Sequence, residues 1–90
     1  MRVIDLSFTF HRTRLHLAPI GSPADVALRS VIRRLGSELH PIPATEDVEA
    51  FRTPAGPCWM RPVPGTPLGL QYTFTPPFVH VLALLEQPAR

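Results

Sequence analysis

The stretch that decides the fold is Cys58-Trp59-Met60-Arg61-Pro62-Val63, followed by the turn Pro64-Gly65-Thr66-Pro67, then Leu68-Gly69-Leu70-Gln71-Tyr72-Thr73-Phe74-Thr75, then Pro76-Pro77, then Phe78-Val79-His80-Val81-Leu82-Ala83-Leu84-Leu85. Three strand-like runs stand in a row, separated by proline and glycine. In the first, Trp59, Arg61 and Val63 share a face. In the second, Leu68, Leu70, Tyr72 and Phe74 share a face, with Gly69, Gln71, Thr73 and Thr75 opposite. The third is apolar on both faces apart from His80, the mark of an interior strand. The linkers are short, so the three runs predict an antiparallel meander.

Outward from the meander, Thr45-Glu46-Asp47 reads as an N-cap and acidic first turn, predicting a single-turn helix that ends near Phe51. His40 to Ala44 and Arg52 to Pro57 are proline-bounded loops. Ser22-Pro23-Ala24-Asp25 opens a longer helix, with serine at the N-cap, proline at N1 and an acid at N3. Leu28, Val31, Ile32, Leu35 and Leu39 continue it as a core-facing stripe. Asp25/Arg29 and Arg34/Glu38 are i,i+4 pairs on that helix. Near the start, Ile4, Leu6, Phe8 and Phe10 alternate with Asp5, Ser7, Thr9 and His11. The alternation then changes phase at Leu15 and Leu17, predicting a β-hairpin or a bulged strand.

These readings give one α+β domain over residues 1–90: a mostly antiparallel sheet in ββαβββ order, with a possible extra short helix and one amphipathic helix packed on it. Ninety residues with 44% hydrophobic and 18% charged side chains suit a globular chain. The 12 prolines lie mostly between elements and punctuate the fold. A lone cysteine, Cys58, excludes an intrachain disulfide and a thiolate zinc cluster within one chain. A reducing, cytoplasmic setting follows as an expectation. The opening residues read as no secretory leader, because polar residues break any apolar core. No run approaches the roughly 18 apolar residues of a membrane span.

Net charge is +2, and all nine basic residues are arginine. The planar guanidinium favours phosphate recognition. Arg29, Arg33 and Arg34 lie off the apolar stripe of the long helix, with Arg52 before the sheet and Arg61 on it. A solvated helix face is the plain reading. An RNA-binding surface of Arg33, Arg34, Arg52 and Arg61, with Trp59 as a stacking platform, is the functional one. His11, His16, His40 and His80 form no metal-ligand spacing, so neither metal nor cofactor is expected. His80 reads as a core histidine or, on an open face, a general acid/base. Tyr72 reads as a core residue with its hydroxyl at an edge. Cys58 has no patterned partner for nucleophilic catalysis.

Residues 57–85 resemble the C-terminal sheet of the RelE/ParE superfamily of small toxins from bacterial toxin–antitoxin pairs. Trp59-Met60-Arg61, Leu70-Gln71-Tyr72 and the apolar Val79–Leu84 run occupy the places of the family's W-x-R strand, tyrosine strand and final strand. The resemblance implies a ribosome-dependent endoribonuclease, or an inhibitor of DNA gyrase, held by an antitoxin partner. By position it implies catalytic roles for Arg61, Tyr72 and His80, with ribosome and mRNA as partners. It also implies one strand and a helical hairpin in the N-terminal half, where the alternation predicts a hairpin of strands. The alternative from the residues alone is a non-catalytic interaction module, of the phage or mobile-element inhibitor type, that blocks a protein target. An exposed sheet edge would serve such a partner or a homodimer.

Overall fold

The computed structural model describes residues 1–87. A five-stranded sheet carries two helices on one face, in the chain order β1 (Val3–Leu6), α1 (Phe8–Leu17), α2 (Pro23–Leu35), β2 (Val48–Thr53), β3 (Gly56–Pro62), β4 (Leu68–Thr75) and β5 (Phe78–Glu86). The strand order is β1-β5-β4-β3-β2, with β1 parallel to β5 and all other neighbours antiparallel. The α+β class and the β3-β4-β5 meander agree with the sequence reading. β5, apolar on both faces, lies between β1 and β4.

The N-terminal half corrects the alternation. The strand stops at Leu6, and a helix follows where a second strand was expected. Ser7 decides this locally: its hydroxyl accepts the Phe10 N–H at 3.1 Å, capping α1, and donates to the Leu82 carbonyl at 2.6 Å. The alternating apolar residues then scatter around the helix. Phe10 is fully buried, while Phe8 and Leu15 point outward at 76% and 70% exposure. The element order is therefore βααββββ, not ββαβββ, and two helices pack on the sheet instead of one.

α2 begins as its sequence dictates: Ser22 accepts from the Asp25 N–H at 3.1 Å, with Pro23 in the first turn. Leu28, Val31 and Leu35 face the core. The helix ends at Leu35 with Gly36 as cap, so the predicted stripe stops short and Leu39 is exposed. Glu38 pairs with the N-terminal amine at 2.8 Å and not with Arg34. The buried Asp25 joins the two helices, accepting from Gly21 N–H at 3.0 Å, Arg14 at 3.0 Å and Arg29 at 3.2 Å. The Gly21 amide and the Arg14 guanidinium hold its carboxyl below the usual aspartate value.

The single-turn helix expected at Thr45–Phe51 is likewise absent. Val48 to Thr53 form the edge strand β2, with a bulge at Ala50. Asp47, read as part of a helix start, instead bonds to Arg61 and Tyr72 of the sheet, and Glu46 lies 4.0 Å from Arg61.

Register fixes the two faces. Trp59 stands opposite Tyr72, and Tyr72 opposite Val81; Arg61 stands opposite Leu70, and Leu70 opposite Leu84. These residues look toward the helices. Phe10, Leu28, Val31 and Leu35 meet Val63, Leu68, Leu70, Tyr72, Val79, Val81 and Leu84 in one core. The other face holds Cys58, Met60, Gln71, Thr73, His80 and Asp5 by the same pairing, and among the described residues neither helix packs on it. No helix among the described residues is long and apolar enough to cross a membrane.

Candidate functional site

Arg61 is an arginine on the core side of an interior strand, only 4% exposed. A buried guanidinium needs a partner, because an isolated charge in a low-dielectric interior is very costly. Asp47 supplies it from the turn before β2. Its side chain is fully buried. Asp47 Oδ2 accepts the Ala44 N–H at 2.8 Å, and the Asp47 N–H returns to the Ala44 carbonyl at 3.0 Å, so the turn is closed on itself. Arg61 then donates bidentately, Nε to Oδ1 at 2.7 Å and Nη2 to Oδ2 at 2.9 Å. Tyr72 also donates its hydroxyl to Oδ2. The guanidinium carbon sits 5.7 Å from the Tyr72 ring centre. No buried side-chain polar atom among the described residues is left without a partner.

The electrostatics follow from this arrangement. Burial pushes the Asp47 carboxyl up, but the hydrogen bonds from Arg61, Tyr72 and Ala44 outweigh it and the net shift is downward. Burial and the Asp47 carboxylate both push the Tyr72 hydroxyl well above its usual value. Tyr72 is therefore a proton-holding donor at neutral pH, with its proton committed to Asp47. Arg61 and Asp47 cancel in charge, so the cluster presents little net field to an approaching phosphate.

One edge of Arg61 lines an open groove of about 440 Å³ between α2 and β3. Ser30 and Arg34 of α2 and Glu46 of the preceding turn share the lining. Glu46 Oε1 lies 4.0 Å from Arg61 Nε and its side chain is 55% exposed. Arg33 and Arg34 are exposed and form no ion pair among the described residues.

The remaining sequence candidates lie elsewhere. His80 stands opposite Thr73, one residue out of phase with Tyr72, so it faces the uncovered side of the sheet. Its Nδ1 lies 3.1 Å from Asp5 Oδ2, and its ring stacks on Phe78 at 6.1 Å. The histidine is partly exposed, not sealed in the core. Trp59 is half-buried against the core. Arg52 is exposed and paired with Glu49 at 2.8 Å. Cys58 is buried, and burial pushes its thiol up. The structure thus brings Arg61 and Tyr72 together, with Trp59 beside them opposite Tyr72 on the same face, and places His80 and Arg52 apart from that cluster. Asp47 is the residue that sequence reading missed. The available signal was Arg61 itself: an arginine sharing a strand face with Trp59 and Val63 demands an acid, and Glu46, Asp47 and Glu49 are the acids that shortly precede that strand.

No family model matches the chain. No curated protein matches it either. Among solved structures, the chain is similar to a copper-bound mutant toxin from Helicobacter pylori, at a TM-score of 0.71 and 22% identity over 96% of this chain and 94% of that one. The likeness is one of fold. Copper belongs to that protein; among the described residues here, no group of three or more His, Cys, Asp or Glu is placed to hold a metal ion.

Proposed function

We propose that this chain is a toxin of the toxin–antitoxin kind, related in fold to the RelE/ParE superfamily, that inhibits its target by binding. The observation that carries the binding reading is the division of the acid/base candidates between the two faces of the sheet. Arg61 and Tyr72 are committed to one buried carboxylate, and His80 lies on the far side. A catalytic set needs its members within reach of one reacting atom. The toxin assignment is supported by the fold shared over nearly the whole chain with a bacterial toxin. Support also comes from the N-terminal strand and helical hairpin that the family resemblance implies. An antitoxin is the implied protective partner. The α2/β3 groove, with Arg34 exposed at its rim, is the surface assigned to the target.

A second reading, an endoribonuclease, is favoured by that groove alone. It presents Arg34, an edge of Arg61 and the exposed acid Glu46 to a common opening. Arginines would hold phosphate and Glu46 would take up a proton there.

Induced expression in a bacterial host, with RNA 5′ ends mapped, separates the two. The binding reading expects growth arrest without new RNA ends. The arrest persists in Tyr72→Phe and His80→Ala and is relieved by Arg34→Glu. New RNA ends that vanish in Glu46→Gln establish the nuclease instead. A wild-type chain that is harmless without an antitoxin removes the toxin assignment altogether.

A further inference from the structure

β2 is an open edge. Among the described residues it pairs with β3 on one side and with nothing on the other, and every residue from Val48 to Arg52 is exposed. Monomeric proteins usually blunt such an edge with lysine, proline or a bulge. Val48 to Thr53 contains no lysine and no proline; its one irregularity is the bulge at Ala50.

That bulge has a specific effect on charge. In a regular strand, residues three apart face opposite sides. Here Glu49 stands opposite Trp59 and Arg52 opposite Pro57, two positions of β3 on the same face. Glu49 and Arg52 therefore share a face, and they touch at 2.8 Å within the chain. Val48 and Phe51 share the other face, opposite Met60 and Cys58, and are 54% and 46% exposed.

We propose that β2 is a homodimer interface: it pairs antiparallel with β2 of a second copy, about a two-fold axis between Ala50 and Phe51, so that Glu49 of each copy stands opposite Arg52 of the other. The symmetry requires self-complementarity, and this strand has it. The same register sets Val48 against Thr53 and brings the two Phe51 side chains together on the uncovered face. The paired edges join two five-stranded sheets into one continuous sheet. Each Glu49/Arg52 pair becomes part of a four-charge cluster of alternating sign. Opposite charges directly across a strand pair stabilise it, and like charges destabilise it.

The test is sedimentation velocity over a concentration series of the whole chain. The wild type is expected to pass from a 10.0 kDa species to one of twice that mass. Arg52→Glu sets acids opposite acids and should weaken association by about tenfold or more. Glu49→Arg combined with Arg52→Glu restores the complementarity and should restore the dimer. Should Arg52→Glu fail to fold, Phe51→Asp reads the same interface from its other face. Backbone amides of β2 should gain protection from hydrogen exchange as concentration rises. A wild-type chain that stays monomeric to about 1 mM overturns the proposal. So does a dimer that ignores Arg52→Glu and Phe51→Asp. A chain that is monomeric alone and gains β2 protection only with a different protein assigns the edge to that protein instead.

Discussion

At the scale of single residues, Asp47 governs more of this molecule than Arg61 or Tyr72. Each of those two has other contacts, but Asp47 is the acceptor that all three local donors share. Removing it leaves a buried guanidinium with no bonded carboxylate, only the half-exposed Glu46 at 4.0 Å. Asp47→Ala should cost about 3–5 kcal/mol, read from urea denaturation midpoints. Replacing both members, Asp47→Leu with Arg61→Met, should cost less than Asp47→Ala alone, since no orphaned charge remains. Tyr72→Phe removes one donor from an oxygen that keeps two others, so a loss of about 1 kcal/mol is expected. The pH dependence has a definite sign. Asp47 and Asp25 both titrate below their usual value in the folded chain. Their contribution is complete above the unfolded aspartate pKa, about 4, and is lost as pH falls through the depressed folded values. Stability measured between about pH 5 and pH 2 should therefore fall less steeply in Asp47→Ala than in the wild type.

Among the elements, legibility tracked how far each segment's local signal agreed with its tertiary role. α2 was readable from its cap, its N1 proline and its apolar spacing, and only its end was misplaced, because Gly36 stops it before Leu39. The β3-β4-β5 runs were readable from period-two patterning and proline turns. α1 was not, because its sequence satisfies two templates. Ile4 to Phe10 alternates like a strand, and the helix built on Phe8–Leu17 buries only Phe10 fully. What selects the helix is tertiary: Ser7 caps it while bonding to Leu82, far along the chain on β5. β2 was unreadable for the complementary reason, since Thr45-Glu46-Asp47 has the composition of a helix start but its aspartate is drawn to Arg61. The Ser7 argument is testable. Ser7→Ala removes both the cap and the bond to β5, and should cost about 1–2 kcal/mol. Ser7→Asp keeps an acceptor for the Phe10 N–H but loses the donor to Leu82, so thermal denaturation should place it between the wild type and Ser7→Ala.

In the whole molecule, the helices stand over one face of the sheet, and stability should be graded by how far each strand is paired and buried. β5 pairs on both sides, with β1 and β4, and α1 packs on it. Val79, Val81 and Leu84 are fully buried there. Among the described residues, β2 pairs on one side only and buries no residue. Besides its pairing with β3, it is tied to the body by the Asp47 turn at its N-terminal end. Local opening follows the loss of few buried contacts first. Native-state hydrogen exchange in dilute solution should therefore show β2 opening at the lowest free energy of the five strands, with β4 and β5 opening only on global unfolding. Asp47→Ala should widen this gap, because it releases the turn that anchors β2 while leaving the β4/β5 pairing intact. Equal protection of β2 and β5 in that variant would mean that the sheet unfolds as one unit. The Asp47 cluster would then stabilise the whole domain and not this edge in particular. If β2 does open separately, the strand offered to partners is also the one most easily reshaped by them, and a single buried carboxylate sets how often it is free.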